Sequence, residues 1–402
     1  MQQFFAYATI SFATFLAFYI AIDKPYMDEP FHIPQAQRYC NGDFSWDPKI
    51  TTPPALYWLS MMLNPLIGCS MMSLRLTNFI LGCCKYYLLS RLSTNALWLS
   101  LLPISFFYHH LYYTDTLSEV LMLLSYYGVV ANSRFYLFGF GFASIFVRQT
   151  NVVLFVWMVF WGIYEKNKNN HPLLSLKIED LTVSDAIDCC RRFILLCVTK
   201  GPLDLGILAS ILVYLYTLVN KYGIVQGDVT NHQVSLHFSQ ILYFGLTLFG
   251  IFALYINKIR FQPILWLFCS ILSFLCVHFF TIHHPFLLSD NRHLSFYFWK
   301  AFYRQMTIVR EVVYSAVYGT VWSIIWATLV KYPLIPVAGF MFSLVLVLVP
   351  SPLFEFRYYI FHLTIYGIYF NNGMNAISKL TIIGLNLLVI FLFIFHPAHI
   401  MW

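Results

Sequence analysis

The sequence predicts an all-α polytopic membrane protein. Of the 402 residues, 59% are hydrophobic and only 10% are charged, whereas roughly 25% of the residues in a soluble domain are charged. Continuous apolar runs such as 264–281 and 340–350 exclude a transmembrane β-barrel, whose strands alternate polar and apolar residues. Because one helical crossing needs about 20 apolar residues, the chain has room for roughly ten or more spans in a single domain, residues 1–402.

The first span and the loop that follows it are the clearest elements. Residues 1–22 carry no charge, are long enough to cross, and lack the basic start and cleavage site of a signal peptide, so we predict an uncleaved span. The predicted first loop covers residues 23–74. Within it, the apolar segment 55–72 is interrupted by Asn64-Pro65 and Gly68, so we expect it to lie along the interface or dip into the membrane rather than cross it.

The later elements follow from apolar length and the distribution of Lys and Arg. Further spans are predicted at 76–92, 96–113, 117–131, 135–147, 152–164, 205–219, 242–256 and 264–281. The Lys- and Arg-rich segment 165–204 is predicted to be a cytoplasmic loop, which puts the first loop and residues 283–300 on the opposite side. Either two or three crossings separate Arg292 from Arg357. The net charge of +7 fits this topology and anionic headgroups, and we expect no nucleic-acid partner.

Two adjacent acids lie at the start of the first loop. Asp28 and Glu29 follow the first span closely, where a carboxylate is costly unless it is solvated or used. One interpretation is a pair of headgroup-level acids that cap the helical turn beginning at Pro30. The other is a general base, because an ionised carboxylate can take a proton from an attacking hydroxyl.

Further polar clusters occur where predicted spans end. They occupy residues 46–57, 112–116, 148–151, 289–300 and 354–360. Taken singly, each fits a helix terminus or an arginine that reaches the headgroups. An arginine can instead hold a phosphate through its forked donors, and the aromatic and acidic residues of 46–57 fit a sugar ring and its hydroxyls. Together with the acids of the first loop, these clusters on one side of an apolar protein predict a binding site.

These motifs resemble the endoplasmic-reticulum alpha-1,2-glucosyltransferase family that adds the last glucose to the dolichol-linked N-glycan precursor. The matching segments are 27–39, 46–54, 113–116, 148–151, 290–293 and 355–358. The resemblance implies the GT-C glycosyltransferase fold, with about 11–12 transmembrane helices and a long first luminal loop. It also implies a multi-pass protein of the endoplasmic-reticulum membrane whose active site is luminal.

The resemblance implies a specific reaction. Glucose would pass from dolichyl phosphate glucose to the terminal glucose 2-hydroxyl of Glc2Man9GlcNAc2-PP-dolichol. An alpha bond made from a beta donor inverts the anomeric carbon, which requires one base and no covalent intermediate. A phosphate leaving group needs cationic or hydrogen-bonding support rather than an acid. We predict no cofactor and no metal ion, although paired carboxylates also suit Mg²⁺ or Mn²⁺.

The resemblance and the residue chemistry together give each candidate a role. GT-C enzymes of this type use an acid of the first luminal loop, so Asp28 is the predicted base and Glu29 the alternative. The candidates for binding the donor phosphate are Arg292, His293, Arg357 and Arg148. The candidates for binding the acceptor or a sugar are His32, Gln35, Gln37, Arg38, Trp46, Asp47 and Asp115.

Two other functions fit a polar cavity in a membrane protein. A transporter or flippase predicts a matching polar cluster on the cytoplasmic side or repeat symmetry between halves, and the sequence contains neither. A non-catalytic membrane partner with the same fold would tolerate Asp28→Asn. An inverting transferase would lose roughly 10² to 10⁴ in rate when this substitution removes its base.

Overall fold

The computed structural model describes residues 2–222, 233–252, 262–284, 294–304, 307–371 and 373–396. In this part of the chain the regular structure is helical, and no β-strand occurs beyond one isolated bridge. The α-helices are α1 (Gln2–Ala21), α2 (Glu29–Cys40), α3 (Ala55–Ile67), α4 (Met71–Leu92), α5 (Ala96–Ser100), α6 (Pro103–Tyr108), α7 (Thr114–Val130), α8 (Gly141–Ile145), α9 (Asn151–Asn167), α10 (Pro172–Ser175), α11 (Val183–Lys200), α12 (Pro202–Tyr222), α13 (Ser239–Phe252), α14 (Pro263–Phe280), α15 (Leu294–Phe302), α16 (Ile308–Leu329), α17 (Leu334–Leu348), α18 (Ile360–Ile365) and α19 (Ala376–Phe395). A π-helical segment, Phe135–Phe140, precedes α8, and another, Tyr366–Phe370, follows α18.

Several of these helices are built to cross a bilayer. In the described ranges, α1, α12, α14, α16 and α19 are long and apolar enough to span, and α3 with α4 forms a sixth candidate that is bent by 109°. Large apolar side chains on α14, such as Ile264 and Phe268, are exposed, as expected of a surface that faces lipid. The predicted all-α polytopic membrane protein is therefore confirmed, and the number of 11–12 crossings stays a prediction.

The predicted interruption of residues 55–72 is present. α3 ends at Ile67, and Gly68 follows with φ +75°, a conformation that glycine adopts without steric cost. α4 then begins after Ser70, whose hydroxyl accepts the N–H of Ser73. The two helices therefore turn sharply at Gly68 instead of forming one straight span.

Two predicted elements differ from the observed ones. Residues 96–113 do not form one continuous helix, because α5 ends at Ser100 and α6 begins at Pro103, whose ring cannot continue a helix through the preceding turn. The segment 165–204, predicted to be a polar loop, contains the amphipathic helix α11. One stripe of α11, which includes Val183 and Ile194, is exposed, and the opposite side packs on the protein.

A small apolar cluster lies beneath the first loop, apart from the main core between the long helices. It joins side chains of α2, α3, α4 and α7, namely Ile33, Ala36, Tyr39, Leu56, Tyr57, Leu74 and Leu117, with Ile50, Tyr112 and Val147 from the connecting segments. This packing fixes α2 against the starts of α4 and α7. The chain segment that carries Asp28 and Glu29 consequently packs on this buried apolar cluster.

Candidate active site

Asp28 lies at the N-cap position of α2, in the segment that joins the first span to this helix. Its side chain makes no capping hydrogen bond and is 32% exposed, with Oδ2 2.8 Å from Nη1 of Arg357. The backbone N–H of Asp28 donates to the hydroxyl of Tyr113 at 2.7 Å. The carboxylate is thus held by an arginine and still reachable from outside, as a general base must be.

Glu29, the neighbouring acid, is entirely buried. Its two oxygens accept a forked pair of hydrogen bonds from Arg75, Nε to Oε1 at 2.9 Å and Nη2 to Oε2 at 2.5 Å. They also accept the backbone N–H groups of Tyr26 and Tyr112 at 2.9 and 2.8 Å. All of its contacts therefore face the protein interior, which suits a structural acid better than a base.

Arg357 links Asp28 to a second carboxylate, that of Glu355. Its Nε and Nη2 donate to the two oxygens of Glu355 at 2.5 and 2.9 Å, while Nη1 donates to Asp28. The guanidinium carbon also lies 5.9 Å from the ring centre of Tyr113. Three of the five N–H donors of Arg357 are thereby used, and two remain unassigned within the described residues.

The charge on Glu355 is stabilised by two arginines. Loss of hydration raises the pKa of Glu355, but the charge and hydrogen bonds of Arg357, together with the charge of Arg148, lower it more. The pKa of Glu355 therefore lies below its usual value, and the carboxylate is ionised at neutral pH.

A second ion pair joins the starts of α7 and α9. Asp115, in the first turn of α7, accepts a 2.5 Å hydrogen bond from Nη1 of Arg148, which precedes α9. The guanidinium of Arg148 lies 5.5 Å from the ring centre of Tyr358. The other oxygen of Asp115, Oδ2, is buried and has no hydrogen-bond partner among the described residues. A buried carboxylate oxygen without a partner is costly, so it is a natural acceptor for a ligand hydroxyl.

His32 lies in the same region and is buried against Tyr57. Its Nδ1 is 2.6 Å from the Tyr57 hydroxyl. Burial lowers the pKa of His32 to about 4, although the nearby carboxylate of Asp28 acts in the opposite direction. The imidazole is therefore neutral at pH 7 and can exchange hydrogen bonds without adding a charge to the site.

Four of the other first-loop candidates hold the loop itself. Gln35 donates to the Ser45 carbonyl and accepts the N–H of Asp47, Gln37 donates to the Cys69 carbonyl, Trp46 donates to the Ile50 carbonyl, and Asp47 accepts the N–H of Lys49. Arg38 is exposed. A disulfide between Cys40 and Cys69, with Cα atoms 6.5 Å apart, ties the end of α2 to the bend before α4. These hydrogen bonds and the disulfide thus hold the first loop in a fixed conformation beside Asp28.

Arg292 and His293, the other phosphate candidates, lie outside the described residues. In the described part of the chain, no three His, Cys, Asp or Glu side chains are grouped to hold a metal ion. The charged side chains that do converge are Asp28, Asp115, Arg148, Glu355 and Arg357.

Sequence reasoning assigned no role to several residues that build this site. Arg75 was visible only as a charge after an apolar run, and nothing local indicates that it binds Glu29. Glu355 belongs to the family-like segment 355–358, but the sequence alone does not show that it pairs with Arg357. The sequence also did not predict a buried network outside the site, which is formed by Lys85, Glu119, Ser105, His109 and Thr364. Its ion pair joins Lys85 Nζ and Glu119 Oε1 at 2.8 Å.

A family model described as the DIE2/ALG10 family matches residues 22–368, a range that includes every charged group of the site. The chain belongs to the DIE2/ALG10 family. Curated relatives align with most of its length. A human protein is 32% identical, with 89% of this chain and 86% of the relative aligned, and an Arabidopsis thaliana protein is 30% identical, with 94% and 92% aligned.

A Candida albicans relative in this family is 30% identical, with 93% of this chain and 90% of the relative aligned. The human, Arabidopsis and Candida proteins are each named Dol-P-Glc:Glc(2)Man(9)GlcNAc(2)-PP-Dol alpha-1,2-glucosyltransferase. No solved structure matches the chain significantly. Family membership therefore rests on sequence, and the geometry of the site comes from this chain alone.

Proposed function

We propose that this protein is an inverting alpha-1,2-glucosyltransferase that moves glucose from dolichyl phosphate glucose to Glc2Man9GlcNAc2-PP-dolichol. Membership in the DIE2/ALG10 family and the names of its relatives support the donor and the acceptor. The observation that carries the proposal is Asp28, a partly exposed carboxylate that Arg357 holds at the start of α2.

Asp28 acts as the general base. Its carboxylate takes the proton of the terminal glucose 2-hydroxyl as that oxygen attacks the anomeric carbon of the donor glucose. The bond between the anomeric carbon and the phosphate oxygen breaks, and its electron pair leaves with dolichyl phosphate. The proton stays on Asp28 until solvent removes it, so the step balances with one base and no covalent intermediate.

The arginines stabilise the leaving phosphate. Arg357 has two N–H donors that the described residues do not use, and Arg148 lies near Glu355 across the same site. Forked guanidinium donors suit the oxygens of a phosphate that gains charge in the transition state. Arg292 and His293 remain proposed partners of the same phosphate.

Asp115 binds a hydroxyl of the transferred glucose. Its unpartnered Oδ2 is buried at the site, and a sugar hydroxyl supplies the missing donor. Helix α2 and the loop that follows it, with Gln35, Gln37, Arg38, Trp46 and Asp47, form the acceptor side, and neutral His32 lies one helical turn after Asp28.

The site faces the lumen of the endoplasmic reticulum. The Cys40–Cys69 bridge of the first loop supports this orientation, because disulfides form and persist in oxidising compartments such as that lumen. The basic segment 165–204 supports a cytoplasmic position for the opposite end.

Transfer assays with purified protein test the donor and the step together. Labelled dolichyl phosphate glucose is supplied with lipid-linked acceptors that carry two, one or no glucoses. We expect transfer only to the acceptor with two glucoses. Equal transfer to all three, or none to any, would contradict the proposal.

A further inference from the structure

We propose that Arg75, acting through Glu29, is a positioning residue that fixes the catalytic carboxylate of Asp28. This inference rests on the proposed function, because it presumes that Asp28 is the base. Arg75 and Glu29 are 1% and 0% exposed, so neither side chain reaches substrate. Their effect on the reaction has to pass through the backbone that carries Asp28.

Glu29 fastens that backbone on both sides of the site. Its Oε2 accepts the N–H of Tyr26, two residues before Asp28, and its Oε1 accepts the N–H of Tyr112. The forked bond from Arg75 holds both oxygens in place. Charge-assisted bonds of this kind are strong where water is excluded, so the turn before α2 cannot shift without breaking them.

α4 supplies the fixed side of this arrangement. Arg75 also donates to the carbonyls of Ile22 and Lys24 at 3.2 Å, which fixes the exit from α1. One turn later, Asn78 donates to the carbonyls of Leu111 and Tyr113 at 2.7 Å.

Tyr113 completes the connection to the base. Its hydroxyl donates to the carbonyl of Tyr26 at 3.1 Å and accepts the N–H of Asp28. One face of α4 therefore holds both segments that meet at Asp28.

The turn needs such support because its conformation is unfavourable. Met27, directly before Asp28, has φ +54°, a region that residues other than glycine adopt rarely and that persists only when the surroundings impose it. Without the bonds from Arg75 and Glu29, the turn can relax and carry the carboxylate of Asp28 away from Arg357. A misplacement of about 1 Å can cost 10²-fold in rate.

Two variants test this role. Glu29→Gln with Arg75→Met removes both charges together, so that no unpaired charge is buried, and Arg75→Lys keeps the charge but loses the fork. We expect kcat to fall about 10- to 100-fold for the double variant and less for Arg75→Lys. The KM values for donor and acceptor should stay within about twofold.

The matched control is Asp204→Asn. Asp204 pairs with both Arg134 and Lys166 at the other end of α7, about 25 Å from the site by helix length. The substitution Asp204→Asn therefore removes the charge of a buried acid that has basic partners. It should lower thermal stability while leaving kcat within about twofold. An equal loss of kcat in the control would overturn the inference, because the effect would then be general destabilisation.

A double-mutant cycle separates positioning from structure. In an Asp28→Asn background, the pair Glu29→Gln/Arg75→Met should change the residual rate by less than about twofold, because the group it positions is already gone. A further 10-fold loss would overturn the inference while leaving Asp28 as the base. Full activity of Asp28→Asn alone would instead overturn the proposed mechanism.

Discussion

Asp28 and Glu29 are neighbours with opposite environments. One carboxylate is 32% exposed and the other 0%, because successive residues at the start of a helix point about 100° apart. The sequence identifies the pair of acids and the chemistry that they allow. It does not distinguish them, since the distinction depends on Arg75, 46 residues further along the chain.

Removing the carboxylate of Asp28 should abolish most of the activity. We expect Asp28→Asn to lower kcat by roughly 10² to 10⁴, because the amide cannot take the hydroxyl proton. The measurement is the single-turnover rate of glucose transfer. Asp43→Ala, which removes an exposed acid of the same loop, is the control and should keep the wild-type rate within about twofold. Retained transfer in Asp28→Asn would show that Asp28 is not the general base.

His32 should make stability sensitive to mild acid. Its pKa is about 4 in the folded protein and 6.5 when unperturbed, so protonation favours the unfolded chain. This stability is present above pH 6.5 and is lost as the pH falls towards 4. Between pH 7.5 and 5.0 the loss is about 2 kcal/mol.

The difference between wild type and His32→Gln isolates this contribution from other titrating groups. Thermal unfolding of detergent-solubilised protein at the two pH values should show a smaller acid-induced loss in the variant. Equal losses in the two proteins would show that His32 does not titrate on unfolding.

At the scale of elements, α7 connects the site to the core. Asp115 in its first turn belongs to the site, and Glu119, one turn further, is buried with Lys85 of α4, Ser105 of α6 and Thr364 of α18. The same helix therefore carries one acid for the site and one for packing. Apolar periodicity cannot predict this network, because its members lie on four helices and each appears in sequence as an isolated polar residue.

Breaking that network on one side should destabilise the protein. Glu119→Ala leaves the ammonium of Lys85 buried without its counter-charge, which costs about 3–5 kcal/mol. The double change Glu119→Leu/Lys85→Met removes both charges and should recover most of the loss. Thermal unfolding in detergent measures both. A single variant as stable as wild type would mean that Lys85 is neutral or hydrated.

The elements were predicted best where apolar length and end signals agree. The predicted spans 76–92, 117–131 and 152–164 correspond to Met71–Leu92, Thr114–Val130 and Asn151–Asn167. The prediction of one span at 96–113 was wrong because the composition of these residues is that of a span, whereas Pro103 interrupts the helix. The amphipathic α11 was missed because its charges dominated the interpretation of the segment.

For the whole molecule, the sequence was sufficient to predict the membrane-protein class and the family. It was not sufficient to predict which distant segments meet or how often the chain crosses the membrane. The all-α membrane class follows from composition, and the family from ordered motifs that begin at Met27. The relative placement of Asp28 and Arg357, 329 residues apart, is a long-range contact that no local pattern contains. The number of crossings and the luminal orientation stay predictions.

Engineered glycosylation sites test the orientation. The chain has no Asn-x-Ser/Thr sequence, so the background is clean. Asp43→Ser creates such a sequence at exposed Asn41, and Thr182→Asn creates one before Val183-Ser184. Expressed in cells, the first variant should gain a glycan that an endoglycosidase removes, and the second should not. The reverse pattern would invert the topology.

The Cys40–Cys69 bridge makes folding of the first loop depend on an earlier step of biogenesis, the transfer of this loop across the membrane. Both thiols must reach an oxidising compartment before they can join, and the bridge locks α2 against the bend before α4. A chain inserted in the opposite orientation would keep both thiols reduced and would lack this covalent link between α2 and the bend before α4. We therefore expect newly made chains to become competent only after translocation of the first loop, so that no premature enzyme meets sugar lipids on the cytosolic leaflet.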